Sequence, residues 1–273
     1  MIPYIQIPSI PLIGGLAIHP FGVLVATGVW MGWWFIRRRA PAYGIAEEQI
    51  RDAVMWTVAV GFLGAHLVEL FFYQSDKLQR DGLIALFKFG LGLSSYGGFF
   101  GAALGLTIWV KRNNQSWLKY GDLIIQGLVI GWIFGRAGCT LAHDHPGAKT
   151  DFFLAVQYPG GARHDLGFDE LLFTVFVLLP VMLWMNRRTW PPGSYVAMVM
   201  LLYAPVRFLF DFLRATDMPH SDPRMFGLTM AHYSSLLVLV TGAALLAYVR
   251  RPGAAQSAPA PAPASVARKR RKP

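Results

Sequence analysis

Runs of about twenty apolar residues recur along this chain, and a stretch of that length is what a helix needs to cross a bilayer. Seven such segments can be marked: His19–Ile36, Ala53–Tyr73, Leu93–Val110, Tyr120–Cys139, Phe168–Met185, Gly193–Leu213 and Met230–Val249. The rest of the composition agrees. Of 273 residues, 54% are hydrophobic and only 15% charged, where a soluble domain carries about a quarter charged. Mean hydropathy is +0.41. A soluble domain is therefore excluded. The expected fold class is all-α: a polytopic membrane protein with seven transmembrane helices occupying residues 1–251. The first segment does not read as a cleaved signal peptide, because its positive charges, Arg37 to Arg39, follow the apolar run.

The net charge of +10 would ordinarily raise nucleic acid as a partner, but the distribution points to topology instead. On one side of the expected spans lie Arg37, Arg38, Arg39, Arg51, three residues around 111–119, Arg187, Arg188 and a basic tail, sixteen Lys and Arg in all. The other side carries seven. By the positive-inside rule the C-terminus is cytoplasmic, and seven spans place the N-terminus outside. Residues 252–273 read as a disordered basic Ala/Pro-rich tail close to anionic lipid headgroups. The single cysteine, Cys139, permits neither an intrachain disulfide nor a metal site built from cysteines alone.

Two arginines fall inside apolar spans. A charge at such a place is costly and usually serves a function. At 1.5 Å per residue, Arg136 stands about 25 Å beyond Lys119 and Arg207 about 21 Å beyond Gly193, so both reach the outer half of the membrane. Tyr203, Arg207 and Asp211 follow at four-residue intervals and share a helix face. His66 and Glu69 lie near the outer end of the second span. Tyr96 opens the third, followed by Gly97, Gly98 and Gly101. The fourth span ends in Gly135-Arg136-Ala137-Gly138-Cys139, with His143, Asp144 and His145 beyond it. Basic, acidic and phenolic groups on several helix ends point to an anion at the outer headgroup level. Arginine binds phosphate in bidentate fashion, and a phospholipid supplies the phosphate at that depth.

Plainer readings stand beside these. Arg136 alone could snorkel to the interface. The Arg207–Asp211 pair alone could be a structural lock. The glycine run after Tyr96 is also a helix-packing pattern. The His143–Asp144–His145 cluster invites a metal, but a third ligand would have to come from elsewhere, such as His66 or His164. No cofactor and no metal are expected.

These residues resemble the prolipoprotein diacylglyceryl transferases of the bacterial inner membrane, over about Ile18 to Arg251. The family's Gly-Arg-x-Gly-Asn signature, with a following acid and glycine, is matched by Gly135-Arg136-Ala137-Gly138, Asp144 and Gly147. Its Tyr, Arg and acid at four-residue spacing are matched by Tyr203, Arg207 and Asp211, its Gly-Gly by Gly97-Gly98, and an Arg and a Glu near the fifth span by Arg163 and Glu170. The resemblance implies transfer of the diacylglyceryl group of phosphatidylglycerol to the lipobox cysteine of an exported prolipoprotein, at the outer leaflet. A thioether forms and glycerol phosphate leaves. Arg136 and Arg207 would stabilise the leaving phosphate, with Gly97, Gly98 and Gly138 lining the phosphatidylglycerol site. Tyr203 and Asp211 would hold Arg207, and Tyr96 would orient a headgroup hydroxyl. Glu69, Glu170 and His143 would support the site. The chain departs from the pattern where the family has a histidine before Gly-Gly (here Tyr96), two asparagines (Cys139 and Ala142) and an arginine in the second span (His66). The proton acceptor is then open among His66, His143, His145 and Asp144. Other readings are a paralogue acting on another acceptor or lipid, and a non-catalytic phospholipid-binding protein.

Overall fold

The computed structural model describes residues 1–11, 17–87, 94–218 and 224–251. The expected tail, residues 252–273, and the start of the third expected span at Leu93 lie outside the described residues. Each of the seven apolar segments falls on a helix: α1 (Pro20–Arg39), α2 (Glu47–Val68), α4 (Ser95–Arg112), α5 (Trp117–Ala142), α6 with α7 (Leu166–Phe173 and Leu179–Met185), α8 (Ser194–Phe212) and α9 (Met230–Val249). A short helix, α3 (Ser75–Asp81), follows α2. Among the described residues five helices are long and apolar enough to cross a membrane: Glu47–Phe72, Trp117–Ala142, Leu166–Met185, Ser194–Phe212 and Met230–Val249. The other two, α1 and α4, are diluted by glycines and end in basic residues. Large apolar side chains such as Phe100, Phe176 and Val240 stand exposed on the helices, as side chains facing lipid would.

Among the described residues the chain divides into two compact units, 1–36 with 122–251, and 37–121. In the first unit, α1 packs on α5 through facing glycines. A Cβ at Gly28 would stand 2.9 Å from the Gly131 carbonyl oxygen, and one at Gly32 2.7 Å from that of Gly127. Glycine alone lets the two backbones approach so closely. The core beneath is Val129 of α5, Leu178 and Met182, Met185 of α7, and Tyr195 of α8. Asp122, near the start of α5, ties α8 down: its carboxylate accepts from the backbone N–H groups of Gly193 (2.7 Å), Tyr195 (2.9 Å) and Val196 (3.0 Å). Those are the donors a helix N-terminus leaves without intrahelical partners. The stretch Thr174–Leu178 between α6 and α7 is π-helical. Pro180 explains part of this, since it has no N–H for the carbonyl four residues back.

The all-helical expectation needs one correction. Residues 146–165 form a three-stranded antiparallel sheet in the order β3-β5-β4, where β3 is Pro146–Lys149, β4 Val156–Tyr158 and β5 Gly161–Asp165. A small ladder also joins β1 (Ile10–Pro11) and β2 (Ala17–Ile18). The β4–β5 turn uses Pro159 and then Gly160 at φ 95°, a backbone angle that suits glycine. Met1–Tyr4 adds to this sheet, with the Ile2 N–H donating to Ala155 (2.8 Å) and the Gln157 N–H to Ile2 (2.9 Å). The sheet also meets the end of α8, where the Ala148 N–H donates to Leu213 at 2.6 Å.

In the second unit α2 and α4 cross on glycines. A Cβ at Gly64 would lie 2.5 Å from the Gly97 carbonyl oxygen and 3.0 Å from the Gly101 Cα. Further along, one at Gly105 would lie 2.5 Å from the Trp56 carbonyl oxygen.

Candidate active site

In the first unit, α5 ends, α6 begins, α8 ends and α9 begins at the same end of the helices, beside the sheet. Local chemistry sets each helix end. The Asp165 carboxylate caps α6 by accepting from the Phe168 N–H at 3.0 Å. Thr229 and His232 form a reciprocal capping box at the start of α9. These ends aim Glu170, Arg136, Tyr203 and Arg207 at one point.

Glu170 is that point. It is fully buried, and its two carboxylate oxygens divide their partners. Oε1 accepts from Arg207 Nη1 at 2.5 Å. Oε2 pairs with Arg136 Nη2 at 2.8 Å and accepts from the Tyr203 hydroxyl at 2.7 Å. The Arg136 guanidinium lies 4.6 Å over the Trp132 ring, a cation–π contact that helps a buried cation. Trp132 in turn meets Tyr203 edge-on at 5.8 Å between centroids. Nη1 of Arg136 reaches the Cys139 sulfur at 4.0 Å, while its Nε is buried with no hydrogen-bond partner among the described residues.

A second tier holds Arg207. Its Nη2 donates to Asp211 Oδ1 at 3.2 Å, and Arg214 Nε donates to the same oxygen at 3.1 Å. The other oxygen of Asp211 accepts from the Thr229 hydroxyl and stands 3.3 Å from His232 Nδ1. Both Asp211 and His232 are fully buried. The expected Arg207–Asp211 pair is present, and Asp211 is also the anchor that ties α8 to α9.

The sheet carries a third group of contacts. Arg163 of β5 makes a bidentate pair with Asp217 (2.8 and 2.6 Å) and donates to the Gly147 carbonyl at 3.1 Å. Arg163 holds the exposed Asp217 carboxyl down at about 2, and the pair raises Arg163 in turn. His143 is pinned on all sides. Nδ1 bonds Asp165 at 2.8 Å, Nε2 bonds the Ile5 carbonyl at 3.2 Å, and the ring stacks on Tyr4 at 4.1 Å. The Tyr158 hydroxyl donates to the same Asp165 oxygen at 2.9 Å. Burial and that carboxylate push the Tyr158 phenol up.

Asp144 pairs with its neighbour His145 through Nδ1. With Cys139 they make a cluster whose thiol, carboxylate and ring nitrogen atoms lie within 4.8 Å of one another, a set that could hold a metal ion. The third member is thus Cys139, not His66 or His164. His164 lies on β5 against Asp169, at 3.5 Å. Gly138 faces α1: a Cβ there would come 2.8 Å from the Phe21 ring.

His66, Glu69, Tyr96, Gly97 and Gly98 belong to the second unit. His66 is buried, with Nε2 3.0 Å from the Leu86 carbonyl oxygen. Glu69 opens a π-helical turn, Glu69–Tyr73, and accepts from Gln74 Nε2 at 2.8 Å. Tyr96 is half-buried in the first turn of α4, which Ser94 caps by accepting from the Gly97 N–H at 3.4 Å. Gly97 is taken up by the crossing with Gly64, the packing use of that glycine run. Gly98 is more open: among the described residues a Cβ there would meet only Ala65, at 3.7 Å.

Sequence reasoning gave Glu170 a supporting place, whereas it is the hub. It passed over Trp132, Arg214, Thr229, His232, Asp165 and Asp217. Local signals among these were the one-turn spacings of Trp132 with Arg136, of Asp211 with Arg214 and of Thr229 with His232.

Helices of membrane-spanning length and a buried cluster of arginines, carboxylates and a phenol define an integral membrane protein with a polar site at one end of its helices. Over residues 8–248 the chain matches the family model described as prolipoprotein diacylglyceryl transferase, so it belongs to that family and is a transferase. A phosphatidylglycerol–prolipoprotein diacylglyceryl transferase from Chromohalobacter salexigens is 26% identical over 255 residues, covering 92% of this chain and 96% of the relative. One from Nitratidesulfovibrio vulgaris is 29% identical over 263 residues, covering 94% and 98%. A Clostridium perfringens protein named as the second such transferase is 28% identical over 236 residues, covering 84% and 90%.

Proposed function

We propose that this chain transfers the diacylglyceryl group of phosphatidylglycerol to the lipobox cysteine thiol of exported prolipoproteins, at the outer leaflet of the bacterial plasma membrane. The observation that carries the proposal is the meeting of Arg136, Arg207 and Tyr203 on Glu170, within a chain of this family. When the thiol sulfur attacks the glycerol carbon, the carbon–oxygen bond breaks and negative charge grows on the departing glycerol phosphate. Fixed cations aimed at that charge lower the barrier. Arg136 and Arg207 are assigned that role, with Glu170 and Asp211 holding them in place beforehand. Tyr203 donates into the same cluster. Asp144 is assigned to catalysis with His143 in support, and by the family resemblance alone Tyr96 and His66 are also assigned to catalysis, Gly98 to the lipid and Glu69 to a supporting place. The chain crosses the membrane seven times, with its N-terminus outside and C-terminus in the cytoplasm. Reporter fusions after residues 115 and 190 should read as cytoplasmic, and an external reading at either position would refute this topology.

A second reading has one specific observation behind it. Where the family has a histidine and two asparagines, this chain has Tyr96, Cys139 and Ala142, which suits a paralogue with another acceptor or lipid. Arg207→Lys separates a catalyst from a scaffold. It keeps the charge but loses the bidentate geometry. Release of glycerol phosphate from headgroup-labelled phosphatidylglycerol should fall about 10²- to 10³-fold. An unchanged rate would assign Arg207 to structure alone.

A further inference from the structure

The transfer reaction needs a thiolate, yet a free cysteine has a pKa of about 8.5 and is mostly protonated at neutral pH. Four groups were open as the proton acceptor, and their surroundings separate them. His143 spends both ring nitrogens, one on Asp165 and one on the Ile5 carbonyl, beneath the Tyr4 ring. His66 is buried with Nε2 against the Leu86 carbonyl. His145 differs from both. Its Nδ1 is held by Asp144, and among the described residues no hydrogen bond engages its Nε2. The imidazole keeps 23% of its side-chain surface open and Asp144 keeps 42%. A carboxylate on one ring nitrogen and an open second nitrogen make the arrangement that orients a general base.

The position of the pair matters as much as its form. The Asp144 carboxylate and the Cys139 sulfur lie within 4.8 Å of each other, and that sulfur lies 4.0 Å from Arg136 Nη1. The dyad therefore stands one side chain away from the proposed phosphate clamp. The His145 carbonyl accepts from the Leu166 N–H at 3.0 Å, which fixes this loop to the helix that carries Glu170.

We infer that Asp144 and His145 form the proton-accepting dyad for the acceptor thiol, in place of the family histidine that Tyr96 replaces; this rests on the transferase reading above. Nε2 takes the S–H proton as the sulfur bonds to the glycerol carbon and the carbon–oxygen bond to phosphate breaks. The electron pair leaves with glycerol phosphate. The imidazolium, steadied by Asp144, then returns its proton to the departing phosphate or to water. Imidazole suits this exchange near neutral pH. Among the described residues, Cys139 of α5 stands beside the dyad and Tyr158 of β4 faces Asp144; beyond Cys139 lie Arg136 of α5 and, paired with it, Glu170 of α6.

The test uses full-length protein in detergent, phosphatidylglycerol and a lipobox peptide, and compares wild type with His145→Gln, His145→Ala and Asp144→Asn from pH 7 to pH 9. Loss of a general base should lower kcat about 10²-fold or more at pH 7 while KM for the lipid changes little. The acceptor thiol ionises by itself toward pH 9, giving roughly 25-fold more thiolate for a pKa near 8.5. The deficit of the His145 variants should shrink accordingly, and added imidazole should partly restore His145→Ala. A deficit that stays flat across this pH range and ignores imidazole would assign His145 to structure and overturn the inference. So would His145 variants with wild-type rates. An inactive wild type would overturn the transferase reading and this inference with it.

Discussion

Glu170, fully buried, keeps two guanidiniums from facing each other, and its surroundings make it hard to replace. Removing one partner of a buried ion pair strands the other charge, which costs about 3–5 kcal/mol. Glu170→Ala should therefore lower the unfolding midpoint in detergent sharply, and Glu170→Gln less, since the amide oxygen can still accept from one arginine or from Tyr203. Equal stability of all three proteins would contradict the hub assigned to this residue. Asp217 makes the opposite case, an exposed carboxylate held by one buried arginine. Its folded pKa, about 2, lies below the ordinary aspartate value of about 3.9. Its stabilising contribution is thus fully present above about pH 4 and is lost as pH falls through 2. As pH drops from 4 to 2, pepsin should cut the segment after α8 more than its own pH dependence on an unfolded peptide accounts for, and Asp217→Asn should show no such excess. The Arg207–Asp211 pair could be read from the sequence because its partners stand one helical turn apart. Glu170 could not, because its partners Tyr203 and Arg207 lie 33 and 37 residues away. No pattern in a single chain says which distant charges meet.

At the level of elements, length and polarity made the helices legible. The last expected span, Met230–Val249, coincides with α9 to the residue. The sheet at 146–165 was not legible. Its strands are three to five residues long, too short for alternation to stand out, and its only cue was the Pro159-Gly160 turn. The π-helical turns at Glu69–Tyr73 and Thr174–Leu178 likewise leave apolar periodicity almost unchanged. The glycines of the third expected span could be read as site or as packing, and for Gly97 packing is what the helices show. Asp122 escaped notice because an acid near the start of a span passes for an interfacial residue. Its three backbone partners make it the cap of α8. Asp122→Ala would leave buried N–H groups unpaired and should cost about 2 kcal/mol or more. Thermal unfolding of the purified variant checks this, and a cost under about 0.5 kcal/mol would show that other groups take over those donors.

For the molecule as a whole, family membership and the arginine cluster support the same chemistry from independent directions. The departures at Tyr96, Cys139 and Ala142 fall where the family's signature residues stand, so they bear on the acceptor and the base more than on the phosphate clamp. The central claim is therefore the transfer itself. Its most direct measurement is the mass of a lipobox peptide after incubation with the purified protein and phosphatidylglycerol. A gain of one diacylglyceryl group on the cysteine, absent with Arg136→Ala, is the expected result. An unchanged peptide, with a family enzyme active alongside, would contradict it.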